Sequence, residues 1–150
     1  MRAYISEYAD LAVRLQHQYG VPASISLAQG ILESKSGEST LTRLTDNHFG
    51  IKCMKKRCRH EKTSTHCINF SDDTPHDRFR IYDTAEQSWE SHAKIVTRGR
   101  YEWLTECGTD YRTWAAGLQD AGYATDKKYA KQLVKLIEDY GLDRYDKIYP

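Results

Sequence analysis

Apolar residues at Ile5, Tyr8, Ala12, Leu15 and Tyr19 recur at alternating steps of three and four. That repeat is one buried face of an α-helix. It predicts a helix over about Ile5 to Tyr19, stopped by Gly20, because glycine readily takes the left-handed conformation that closes helices. Pro22 opens a second helix, where its missing N–H does no harm. This helix is expected to reach about Ser36, with Ala28, Ile31 and Leu32 facing a core. Ser26, Gln29, Gly30 and Glu33 fall on an adjacent face.

The pattern then changes. From Gly37 to Lys62 it is irregular and polar. GIKC (50–53), CINF (67–70) and FRIY (79–82) look like short strands in a context rich in charged and hydroxyl residues, so a small, partly exposed antiparallel sheet is expected. Thr84-Ala85-Glu86-Gln87 fits a capping box. It opens a helix whose stripe is Trp89, Ala93 and Val96. A short helix is expected over Tyr101 to Glu106, and a longer one over Tyr111 to Ala121 with Tyr111, Trp114, Ala115 and Leu118 inward. The last, about Lys127 to Tyr140, buries Ala130, Leu133, Ile137 and Tyr140 and ends at Gly141. Helices at both ends around a polar sheet make one α+β domain spanning 1–150, mainly helical, with its core at about 4–141.

Composition narrows the partners. The net charge is +1, with both signs mixed along the chain, so no strong field favours nucleic acid or an anionic membrane. No run of 18 apolar residues occurs, so no membrane insertion is expected. The N-terminal MRAYISEYAD lacks the apolar stretch of a signal peptide, which leaves a removed leader, another export route or an internal location. Tyrosine occurs 11 times, and its flat face with a polar tip suits both cores and sugar rings.

Cys53, Cys58, Cys67 and Cys107 are disulfide candidates, and four cysteines allow three complete pairings. Free thiols remain an alternative. So does zinc, since His60 and His66 lie among them, but C-x4-C-x-H-x5-H-C matches no common zinc spacing. No P-loop, dinucleotide glycine pattern, HExxH or GxSxG is present. A Cys–His hydrolase built from Cys53 or Cys67 with His92 has no local cue in its favour. No metal or other cofactor is expected.

Four stretches can carry chemistry. In AQGILES, Glu33 is either a solvated charge or a semi-buried acid, with Gly30 clearing space beside it. A carboxyl among apolar groups has a raised pKa and can donate a proton near neutrality. Asp72 and Asp73, in SDDTPHD, form a turn or supply the second carboxylate of a glycosidase. Asn47 and Phe49, in NHFG, make a tight loop that is structural or binds a polar ligand group. Tyr123, in GYAT, caps the core or projects into a cleft.

AQGILES, NHFGIK, FRIY followed by a helix, RY and AGYATDKKYA occur in this order over roughly residues 4 to 141. Together they resemble the bacterial peptidoglycan N-acetylglucosaminidases of glycoside hydrolase family 73, a group that includes flagellum-associated wall hydrolases and autolysins. The CMKKRC…HCINFSDD segment is similar to a Bacteroides-type variant. The resemblance implies a lysozyme-like α+β fold with a cleft between a helical lobe and a β-lobe. It implies a substrate, peptidoglycan glycan strands, cut at the β-1,4 bond between N-acetylglucosamine and N-acetylmuramic acid. Glu33 matches the general acid, and Tyr123 the tyrosine close to the reacting sugar. Gly30, Asn47, Phe49, Tyr101 and Tyr129 match substrate-side positions. A monomer working in the cell envelope, periplasmic or secreted, is expected.

Two departures stand out. Lys35 replaces the small residue usual after the family's Glu-Ser, and the hairpin offers Asp72 and Asp73 where some members carry a glutamate. Two routes follow: an aspartate-activated water opposite Glu33, or the substrate's own N-acetyl carbonyl oriented by Tyr123. Competing functions are an N-acetylmuramidase or lytic transglycosylase on the same fold, and a non-catalytic wall-binding module.

Overall fold

The computed structural model describes residues 1–53, 67–69 and 78–148. Helix α1 spans Arg2–Tyr19 and buries Tyr4, Ile5, Ala9, Ala12 and Leu15. Gly20, at φ 91°, closes it as the pattern predicts. Helix α2, Ala23–Ser34, is buried at every position from Ala23 to Ile31. It is the central rod of the molecule, packed against α1 and the three C-terminal helical elements.

A helix buried at its start needs its free N–H groups satisfied, and Pro22, at the cap, supplies no side-chain acceptor. Neighbouring elements do so instead. Gln16 Oε1 accepts from the Ala23 amide at 2.7 Å, and Asp146 Oδ1 accepts from the Ser24 amide at 2.8 Å. Ser24 Oγ donates to Asp146 Oδ2 at 2.6 Å, and Gln16 Nε2 donates to the Asp146 carbonyl at 2.9 Å. The far end closes two residues earlier than the pattern predicts. Lys35 and Ser36 are left-handed, at φ 51° and 58°, while Ser34 Oγ donates to the Gly30 carbonyl at 2.5 Å and accepts from the Gly37 amide at 2.8 Å.

Helix α3, Thr40–Thr45, lies in the stretch expected to be irregular. Its Ser39 cap accepts from the Thr42 amide at 3.1 Å. It inserts Thr42 and Thr45 into the protein rather than an apolar stripe, and Leu44 points outward. Strands β1, Cys67–Asn69, and β2, Arg78–Arg80, pair antiparallel with Cys67 opposite Arg80 and Asn69 opposite Arg78. The expected third strand at 50–53 reduces to one bridge, Lys52 opposite Phe79, held by hydrogen bonds from Cys53 N to Arg78 O and from Arg80 N to Ile51 O. A disulfide joins Cys53 to Cys67. Cys107 is free and partly buried, and Cys58 lies outside the described residues.

Helix α4, Ala85–Val96, buries Trp89, Ala93 and Val96 as its stripe predicts, together with Ser88 and His92. Thr84 caps it through the Gln87 amide, and Gln87 Oε1 accepts from the Asp83 amide. The short helix is a 3₁₀ segment, Gly99–Cys107, burying Tyr101 and Leu104. Helix α5, Tyr111–Asp120, packs on α6, Tyr129–Tyr140. Within these two, Trp114, Ala115, Leu118, Leu133 and Ile137 are buried, whereas Tyr111, Ala130 and Tyr140 reach only the edge of the core. A second 3₁₀ segment, Leu142–Lys147, extends the packed region past Gly141 and carries Asp146 to α2.

Asp146→Ala removes an acceptor from the buried start of α2. It should lower stability by about 1–2 kcal/mol, read by urea denaturation, with activity of the folded fraction retained.

Candidate active site

Glu33 sits on the last turn of α2, where that helix emerges from the core into a cleft of about 740 Å3. The 49–52 segment, β2, α4, the first 3₁₀ segment and the α5–α6 turn line the rest. Phe49, Tyr101 and Tyr123 line it together with Glu33, so residues from four distant parts of the chain meet there. Among the described residues Glu33 is the one carboxylate in the lining, and the cations Lys52, Arg80 and Arg100 lie around it.

An aromatic wall backs the carboxyl. Phe49 stacks on His92 with ring centres 4.0 Å apart, and Phe49 meets Trp89 edge-on at 5.1 Å. Tyr123 stacks on Tyr129 at 5.7 Å and meets Tyr101 edge-on at 6.1 Å. Arg100 lies over the Tyr101 ring at 4.9 Å, the geometry of a cation–π contact. Removing water from a carboxylate favours its protonated form. Burial accordingly pushes the Glu33 carboxyl above its ordinary value, while a hydrogen bond from Tyr129 opposes that shift. Burial and the nearby Glu33 also push the Tyr123 and Tyr129 hydroxyls up, so both stay protonated donors.

Tyr129 is itself buried and stands behind Glu33 rather than in the cleft lining. Two other expected substrate contacts, Gly30 and Asn47, also lie outside the cleft lining. Gly30 faces the core, and a Cβ there would lie 2.7 Å from the Tyr4 hydroxyl and 3.2 Å from the Trp89 ring. The glycine permits close packing of α1 and α4 on α2 and makes no room for a sugar. The cause is helical geometry: i and i+4 lie more nearly in line than i and i+3, so Gln29 is the residue that extends toward the polar groups around Glu33.

Asn47 is also structural. It is buried, and its Nδ2 donates to the carbonyls of Ile51 and Arg80 at 2.9 and 3.0 Å. Its Oδ1 accepts from the amides of Ile51 and Phe49 at 3.0 and 3.3 Å. Every polar atom of the side chain is thus spent on backbone. The result is a 47–51 loop pinned to β2 that holds Phe49 over His92. Lys35 is exposed and closes α2 outside the cleft lining. Asp72 and Asp73 lie outside the described residues. The Cys53–Cys67 disulfide takes up both thiols considered for a Cys–His pair and two of the three considered for zinc.

Sequence reading places Gln29 on the Glu33 face and considers His92 only for a Cys–His hydrolase, and gives neither a part beside the acid. Gln29 is fully buried one helical turn before Glu33, and His92 lies one turn after the core residue Trp89. A glutamine four residues before a candidate acid was the available signal.

A family model described as mannosyl-glycoprotein endo-beta-N-acetylglucosaminidase matches residues 9–142. The chain belongs to this glucosaminidase family. It is 34% identical over 155 residues to the exo-glucosaminidase LytG of Bacillus subtilis, covering 99% of this chain and 55% of that protein. It is 31% identical over 144 residues to the peptidoglycan hydrolase FlgJ of Escherichia coli K12, covering 91% of this chain and 46% of that one. The chain therefore spans about half the length of these curated relatives. The catalytic domain of the autolysin Auto from Listeria monocytogenes superposes with a TM-score of 0.77 at 28% identity, covering 96% of this chain and 86% of that domain. The glycoside hydrolase domain of Salmonella typhimurium FlgJ gives 0.72 at 28% identity, covering 93% and 87%. The glucosaminidase fold is the mainly helical α+β architecture, with a small antiparallel lobe beside a cleft, that the motifs imply. Among the described residues no helix is long and apolar enough to cross a membrane.

Asn47→Ala should lower stability by about 2–3 kcal/mol, because it leaves buried backbone groups unpaired, while KM measured on the folded fraction stays unchanged. A selective rise in KM with normal stability would make Asn47 a substrate contact after all.

Proposed function

We propose that this domain hydrolyses the β-1,4 bond between N-acetylglucosamine and N-acetylmuramic acid in peptidoglycan, with Glu33 as the general acid. The observation that carries the reading is a carboxyl held toward its protonated form at the mouth of an aromatic-lined cleft. Glycoside hydrolysis needs a proton on the leaving oxygen while positive charge develops on the sugar. Glu33 delivers that proton. Phe49, Tyr101 and Tyr123 offer flat apolar faces to the pyranose rings, and Arg80 and Arg100 suit the carboxylates that peptidoglycan carries. Relatives named as peptidoglycan hydrolases support the substrate class. A substrate of that kind places the domain in the cell envelope, periplasmic or secreted.

The charge that develops opposite Glu33 is met by one of two groups. Asp72 or Asp73 activates a water on the far face, which requires carboxyls about 6.5–9.5 Å apart and inverts the anomer. Alternatively the substrate's acetamide attacks, oriented by the Tyr123 hydroxyl, and the anomer is retained. NMR of the first-formed product separates the two. The muramidase reading has one comparison in its favour, 29% identity over 150 residues to a protein named probable N-acetylmuramidase from Lactococcus lactis. Mass spectrometry of released fragments decides. Reducing-end N-acetylglucosamine supports the proposal, reducing-end N-acetylmuramic acid supports the muramidase, and an anhydro sugar supports a transglycosylase.

Glu33→Gln should fold normally by circular dichroism and lose about 10²–10⁴-fold in rate on purified peptidoglycan. In the unaltered enzyme kcat/KM should fall on the alkaline side as Glu33 loses its proton, with the midpoint above the ordinary glutamate value of 4.5. A folded Glu33→Gln variant that clears peptidoglycan at the normal rate would remove Glu33 from the chemistry and favour another acid.

A further inference from the structure

The helical wall of the cleft carries two groups that a neutral sugar chain would leave without a partner. Arg100, near the start of the first 3₁₀ segment, and Ile95, on the last turn of α4, both line the cavity that holds Glu33. Arg100 is exposed, and its guanidinium lies over the Tyr101 ring at 4.9 Å. Its Nη1 lies 3.5 Å from where a Cβ on Gly122 would stand, so the side chain reaches across to the α5–α6 turn. Among the described residues no carboxylate pairs with it. A cation already held against a flat ring gives up little freedom on meeting an anion.

Ile95 is its apolar counterpart. The Trp89, Ala93 and Val96 stripe of α4 turns inward, and Glu86, Gln87 and Lys94 are exposed on the outer face. Ile95 is exposed among them. Of the large exposed apolar side chains among the described residues, it is the one in the cleft lining. An unpaired guanidinium and an apolar side chain on one wall suit a ligand that carries both a carboxylate and methyl groups.

The substrate has such a part. Cutting between N-acetylglucosamine and N-acetylmuramic acid puts the Glu33 proton on O4 of the muramic acid. The peptide of peptidoglycan branches from the adjacent carbon, C3, through a lactyl ether, so it leaves the sugar beside the bond that breaks. That peptide is short, acidic and contains alanine. We propose that Ile95 and Arg100 form a subsite for the peptide, and that the enzyme therefore prefers peptide-bearing glycan to bare glycan. Arg100 takes a peptide carboxylate, and Ile95 packs against alanine methyls. The inference rests on the glucosaminidase reading of the cleft, because that reading places the peptide-bearing sugar on the leaving side.

The test uses two soluble glycans of equal length, one bearing its peptides and one stripped by an amidase, which leaves a lactyl carboxylate. Release of reducing ends gives kcat/KM for each. The parent enzyme should prefer the peptide-bearing glycan about tenfold, the scale of one hydrogen bond to a charged group. The difference should lie in KM. Arg100→Gln should bring the ratio close to one, and Ile95→Ser should lower it about fourfold, the scale of one buried methylene. Raising the salt concentration should shrink the parent's preference, since exposed charges are screened. A parent enzyme without the preference overturns the proposal. So does an Arg100→Gln variant, folded by circular dichroism, that keeps the preference or slows both glycans equally. If the parent releases no reducing ends from either glycan, the glycosidase reading fails instead, and calorimetry tests the subsite. The parent should then bind the peptide-bearing glycan about tenfold more tightly than the stripped one, with Arg100→Gln binding both alike. Equal binding by the parent overturns the proposal.

Discussion

Helix α2 is buried from Ala23 to Ile31 yet carries Ser24 and Gln29 within that stretch and Ser34 beyond it, while the buried Ser26 hydroxyl has no partner among the described residues. Buried polar groups must be hydrogen-bonded or the fold loses stability, and much of the architecture follows from meeting that demand. Asp146 and Gln16 reach its N-terminus, Tyr129 and His92 meet Gln29, and Ser34 closes the helix on its own backbone. Elements from both ends of the chain therefore converge on one rod. Glu33 is the point at which the rod leaves the core. Its position is fixed because the residues before it are committed on every side.

That commitment explains how a carboxyl is kept partly dry at the edge of an open cleft. Phe49, Trp89, His92, Tyr123 and Tyr129 form a nearly continuous aromatic layer behind it. Desolvation favours the neutral acid, and the Tyr129 hydroxyl limits the shift without cancelling it. The Asn47 loop maintains this layer by holding Phe49 against His92. The Cys53–Cys67 disulfide ties the end of the same loop segment to β1, so the β-lobe is anchored beside the cleft by a covalent link as well as by β2.

Strong apolar stripes made much of this legible in advance. The turns of α1, the Trp89–Ala93–Val96 face of α4 and the Leu133–Ile137 face of α6 are where periodicity places them. Helix α3 is not legible that way, because it buries threonines and exposes Leu44. Glu33, Phe49, Tyr101 and Tyr123 were identifiable from motifs, but only folding shows that they share a cleft. Gly30 and Asn47 stand in the same motifs for another reason, the close packing and the loop hydrogen bonds that build the site's frame. A motif records both kinds of residue alike, and only three-dimensional contacts separate them. Gln29 and His92, 63 positions apart, could not be paired from sequence spacing.

The central claim is that the fold itself, without substrate, holds Glu33 toward its protonated form. Carbon-13 NMR titration of the Glu33 side-chain carboxyl in the ligand-free protein measures this directly. The account predicts a midpoint above the ordinary glutamate value of 4.5. A midpoint at or below that value, in a protein that remains folded through the titration, would contradict it.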